Sequence, residues 1–136
     1  MSKYNVITPT DIIPAPSDRE TRAAGIIADY FKSDVKFIRR SNVSKTADLN
    51  ILSLNIQIEV KSPTGKSKRH TIERQFVTAS KQARYLAIDS SRTALRDDFI
   101  WREIVRQTET NQYKRYFKNV FLIRKDGEIV DLAKHK

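Results

Sequence analysis

A chain of 136 residues is long enough for one domain with a real core and short for two. It contains 39% hydrophobic and 31% charged residues, no cysteine, and 26 Lys plus Arg against 16 Asp plus Glu, a net charge of +10. The totals exclude a disulfide framework, a thiolate metal site and a Cys nucleophile, and the positive excess points to a polyanionic partner, nucleic acid first.

The opening residues "MSKYNVITPTDIIPAPS" lack the apolar centre of a signal peptide, and no segment reaches the roughly 18 apolar residues of a membrane-spanning helix. Residues 1–16 hold three of the four prolines and show no periodicity. They are expected to form a leader or linker ahead of a single domain at 17–136. "SDRE" at 17–20 reads as a capping box, with Ser17 as cap and Glu20 three residues on. Behind it Ala23, Ile26, Ile27, Tyr30 and Phe31 form one apolar helical stripe, with Glu20 at its edge.

Residues 35–39 suggest a short strand and 47–61 a hairpin, followed by a loop at 62–70. Ile72, Phe76, Ala79 and Ala83 predict a helix over 71–83, running into a strand at 84–89. A less regular helical pattern covers 94–108, and 109–118 shows no pattern. Strands at 119–124 and 128–132 flank an Asp126-Gly127 turn, and the last four residues are expected to fray. The order predicts an α/β domain with a mixed sheet flanked by helices.

The hairpin carries the chemistry. Alternation puts Leu49, Ile51, Ile56, Ile58 and Val60 on one face, and Asp48, Asn50, Gln57, Glu59 and Lys61 on the other. With a two- or four-residue turn Asp48 lies opposite Glu59, a register that also keeps the apolar faces together. Two adjacent carboxylates repel unless a cation joins them. Either Lys61 neutralises them in an exposed salt-bridge cluster, or they coordinate a hard divalent cation with Lys61 beside the reacting centre.

A helix glutamate (Glu20), a strand Asp (Asp48), then "EVK" at 59–61 and a helix resemble the PD-(D/E)XK nuclease superfamily. Within it the chain looks most like the C-terminal toxin nucleases of contact-dependent growth inhibition, a likeness that includes "TIERQFVTASKQARYLAID" and spans about residues 17–132. Ala47 stands where that pattern has proline before the Asp. The resemblance implies a restriction-endonuclease-like fold and a divalent-metal-dependent endonuclease. Asp48 and Glu59 would hold the metal, with the Val60 carbonyl and Glu20 as further ligands. Lys61 would act on the attacking water or on the phosphate charge. Gln82, and with it Gln75, would position water or phosphate. The cation is expected to be Mg²⁺, with Mn²⁺ and Zn²⁺ as alternatives. The toxin likeness favours RNA, tRNA in particular, and implies an acidic immunity protein and action in the cytoplasm of a target cell after delivery as part of a larger protein.

In the loop after the hairpin, Lys66, Lys68, Arg69 and His70 are candidates for substrate phosphate contacts. "GKS" at 65–67 is no phosphate-cradling P-loop, because Val60 occupies the place of its first glycine. Three further readings stay open on residues alone: a phage or mobile-element DNA endonuclease, a metal-free ribonuclease using His70, and a non-catalytic basic nucleic-acid-binding module.

Overall fold

The capping box closes as the sequence predicts: Ser17 Oγ accepts the Glu20 N–H at 3.2 Å, and Glu20 Oε1 accepts the Ser17 N–H at 3.1 Å. It starts α1 (Asp18–Phe31). The structure is a computed structural model and describes residues 3–12, 15–39, 47–66, 70–110, 112–113 and 115–135. The strands are β1 (Val6–Ile7), β2 (Val35–Phe37), β3 (Leu49–Ile51), β4 (Ile56–Lys61), β5 (Tyr85–Asp89), β6 (Asn119–Ile123) and β7 (Ile129–Asp131). Helix α2 (Thr71–Ala79) joins β4 to β5, and α3 (Asp97–Thr108) joins β5 to β6.

These seven strands make one mixed sheet in sequence order. The β1–β2, β4–β5 and β5–β6 pairs are parallel, and β2–β3, β3–β4 and β6–β7 are antiparallel. Alternation splits the core in two. Val35, Phe37, Leu49, Ile51, Ile58, Ala87 and Phe121 pack with Ala23, Ala24 and Ile27 of α1 on one face. On the other, Leu86, Ile88, Val120 and Leu122 pack under Ile72 and Phe76 of α2 and Ile100 and Ile104 of α3. β5 and β6 are thus covered on both sides, which is why they read as continuous apolar runs.

Several boundaries differ from the sequence reading. Val6–Ile7, within the stretch read as a leader, adds an edge strand, tied by Asn5 N–H to Asp34 Oδ1 at 2.8 Å, and Ile12 enters the core. Two residues are too few to show a period. Helix α2 ends at Ala79 rather than 83, where the Thr78 and Ser80 hydroxyls bond to carbonyls of the preceding turn. Ahead of α3, Ser90–Arg92 form a 3₁₀ turn capped by Asp89, whose Oδ1 accepts the Ser91 N–H at 3.0 Å. Residues 132–135 form a 3₁₀ turn rather than a frayed tail, anchored by buried Leu132 and by Lys134 Nζ over the Tyr30 ring at 5.1 Å. The unpatterned stretch 109–118 supplies Tyr113 and Phe117, which pack against Phe76 at 5.7 and 5.4 Å.

Candidate active site

The β3–β4 turn occupies residues 52–55, four residues, with Asn55 in the left-handed region at φ 52°. Leu49 pairs with Ile58 and Asn50 with Gln57. The same register continued by one residue sets Asp48 against Glu59. Both acids, with Asn50, Gln57 and Lys61, lie on the face that α2 and α3 cover over β5 and β6. Lys36 of β2, paired with Asn50, extends this polar face.

Glu59 is only 2% exposed, yet it carries a carboxylate. Its Oε2 lies 2.9 Å from Lys61 Nζ, while Oε1 is buried with no hydrogen-bond partner among the described residues. Asp48 is half-buried, and its Oδ2 accepts the Val60 N–H at 2.9 Å. Burial pushes the Glu59 carboxyl up to about 8; the Asp48 charge beside it adds to the rise, and the Lys61 ammonium opposes it. Lys61 Nζ also donates to Gln82 Oε1 at 2.9 Å. Asp48, Glu59, Lys61 and Gln82 thus form one connected group, although 21 residues separate Lys61 from Gln82.

The exposed salt-bridge reading is corrected by this burial. Lys61 supplies one positive charge against two acids, one of them buried with an unpartnered oxygen, an arrangement costly for stability alone. The same features fit a hard divalent cation: two neighbouring carboxyl groups, a buried Oε1 with no hydrogen-bond partner among the described residues, and a second acid held by the Val60 N–H. The all-oxygen donor set suits Mg²⁺ or Mn²⁺ better than a softer ion.

Glu20 lies in the first turn of α1. It lines a small cavity of about 30 Å³ with Phe37, Asp48, Leu49, Val60 and Ser62, while Oε1 serves the capping box. Among the described residues no group of three acids or histidines is placed to hold one metal ion. Gln75 turns its amide to the Thr71 carbonyl at 3.1 Å, within its own helix. His70 sits at the start of α2 without a side-chain capping bond, and Lys66 is exposed. Lys68 and Arg69 lie outside the described residues.

The sequence reading placed Asn50 on the polar face without giving it a role, and its Oδ1 is buried without a partner among the described residues; a basic groove beside Gln82 was not marked at all. Asn50 was legible from parity with Asp48. The groove joins segments far apart in the chain, so no local pattern marks it.

The fold is thus a mixed α/β sheet that brings a buried Glu59, a half-buried Asp48 and Lys61 together on one face. A family model described as "Contact-dependent growth inhibition CdiA C-terminal domain" matches residues 45–129, well over half of the chain. The chain belongs to this family of CdiA C-terminal domains and is a toxin effector domain of contact-dependent growth inhibition. No curated protein matches it. Among solved structures it is similar to a CdiA-CT/CdiI toxin and immunity complex from Burkholderia pseudomallei, with a TM-score of 0.56 and 19% identity over 94% of this chain and 97% of that one. At that identity the likeness speaks for the fold. Among the described residues no helix is long and apolar enough to cross a membrane.

Proposed function

We propose that this domain is a divalent-metal-dependent nuclease of the PD-(D/E)XK type that hydrolyses phosphodiester bonds, with RNA, and tRNA in particular, as substrate. The observation that carries the reading is the buried Glu59 beside Asp48, with an Oε1 that has no hydrogen-bond partner among the described residues and a 2.9 Å contact to Lys61. Family membership supports a toxic activity, and the net charge of +10 supports a polyanionic substrate.

Hydrolysis forms a bond from water oxygen to phosphorus and breaks one P–O ester bond. The attacking water loses a proton and the leaving oxygen gains one. Asp48 and Glu59 would hold the cation, with Glu20 near enough through the small cavity to act through water. When bound, the cation supplies Lewis-acid polarisation of the phosphoryl group and a water acidic enough to ionise near neutral pH. Lys61 has three donors; Glu59 and Gln82 engage two, leaving one for a non-bridging phosphate oxygen. That remaining donor gives Lys61 the role of stabilising the negative charge that grows on the phosphate. Gln82 fixes the direction of that ammonium.

In this reading the domain acts in the cytoplasm of a target cell after delivery on a longer protein. Its basic surface suits an acidic immunity protein, and the related solved complex contains an immunity partner. The test is cleavage of tRNA and of plasmid DNA with Mg²⁺, Mn²⁺ or EDTA. We expect metal-dependent cutting of RNA. Asp48→Asn and Glu59→Gln should abolish it, and Lys61→Ala should lower the rate by about a hundredfold or more, the scale of one lost transition-state donor. Cutting in EDTA, or full activity in Asp48→Asn, would refute the mechanism.

A further inference from the structure

A groove of about 470 Å³ opens where β4 and β5 begin, within the size range of ligand sites. Its walls are Asn55 of the β3–β4 turn with the start of β4 (Ile56, Gln57), the crossing from α2 into the start of β5 (Lys81 to Tyr85), and Tyr116 with Lys118 ahead of β6. Gln82 lines the groove and also holds Lys61, so groove and acid pair are joined through one side chain. Three cations, Lys81, Arg84 and Lys118, line it, and among the described residues no acidic one does.

One contact gives the groove a shape beyond charge. The Arg84 guanidinium lies over the Tyr116 ring, 4.6 Å from its centroid. Tyr116 is set edge-on against Phe117 at 4.9 Å, and the Lys118 N–H donates to the Arg84 carbonyl at 2.8 Å. The stack is therefore held by its backbone as well as its side chains. A guanidinium plane on an aromatic ring is a platform for a nucleobase, and only an unpaired base can expose the face that stacks on it.

We infer that the Lys81–Arg84–Tyr116–Lys118 groove binds an unpaired stretch of nucleic acid, stacking a base on the Arg84–Tyr116 platform while its cations hold the flanking phosphates and Gln82 leads the strand to Lys61. The inference rests on the nuclease reading for the direction of the strand, whereas binding in the groove stands without chemistry.

The test measures fluorescence anisotropy of labelled single-stranded and duplex RNA in EDTA, with hydrolysis of bis(p-nitrophenyl) phosphate in Mn²⁺ as a readout too small to need the groove. Arg84→Gln/Lys118→Gln changes two exposed residues and is expected to fold; Tyr116→Leu keeps apolar bulk against Phe117. Tyr116→Leu should weaken single-strand binding at least about fivefold, with a smaller effect on duplex. The double variant should reduce the single-strand salt slope by about 1.4, two phosphate contacts' worth. Hydrolysis of the small diester should stay at the wild-type level in both. Unchanged single-strand affinity in both variants would overturn the inference and leave the groove's charge to an acidic protein. Equal losses for duplex and single strand would overturn the stacking role. A wild-type protein that binds as described but fails to hydrolyse the diester would count against the nuclease reading alone.

Discussion

Glu59 is a residue whose protonation the fold controls. Its carboxyl titrates near 8 in the folded protein against an ordinary value of 4.5, because burial and the neighbouring Asp48 disfavour its charge. Below the ordinary value both folded and unfolded chains hold the proton, and the group's contribution to stability is fully present. As pH rises from 4.5 to about 8 the unfolded chain loses its proton first, and that contribution drains away. The melting temperature of metal-free wild type should therefore fall across this window relative to Glu59→Gln, which has no proton to lose. Parallel melting profiles for the two proteins would show that Glu59 does not titrate this way. A divalent cation on the pair would displace the same proton. Mn²⁺ titrated calorimetrically near neutral pH should then give different heats in two buffers of different ionisation enthalpy.

At the scale of an element, the start of α1 gives Glu20 a capping role, and one substitution separates it from the role proposed for Glu20 at the cation. A glutamine at the third helical position keeps the reach back to the Ser17 N–H, so Glu20→Gln should melt with wild type. Ser17→Ala removes the reciprocal bond and should cost about 1 kcal/mol without touching the cavity shared with Asp48. If Glu20 helps hold the cation, Glu20→Gln loses nuclease activity while Ser17→Ala keeps it below its melting temperature. Activity that instead follows stability in both variants would confine Glu20 to the cap. The hairpin works differently. Its four-residue turn preserves parity, so β3 and β4 could pair only with both acids on one face or with the apolar set exposed.

At the scale of the whole molecule, the charge of +10 governs encounter with a polyanion more than chemistry at the acid pair. Neutralising Lys66, Lys68 and Arg69 together should weaken nucleic-acid binding across sequences. It should lower the single-strand salt slope by about 2, while hydrolysis of bis(p-nitrophenyl) phosphate is unchanged. An unaltered slope would mean that this loop is merely solvated. The sheet order sets β4 beside β5, so Gln82, between α2 and β5, meets Lys61 at the end of β4.

Alternation and periodicity by themselves determined the α/β order, the capping box, the Asp126-Gly127 turn and the facing of Asp48 and Glu59. Each depends on neighbours a few residues apart or on strands joined by a short turn. Tertiary structure alone decided that Glu59 is buried, that Gln82 and not Gln75 reaches Lys61, and that Arg84 stacks on Tyr116. It also drew Val6 and Ile7 into the sheet and folded the last turn back onto Tyr30. These outcomes follow from which part of the sheet the helices cover and from contacts between residues distant in sequence, and neither leaves a period in the chain.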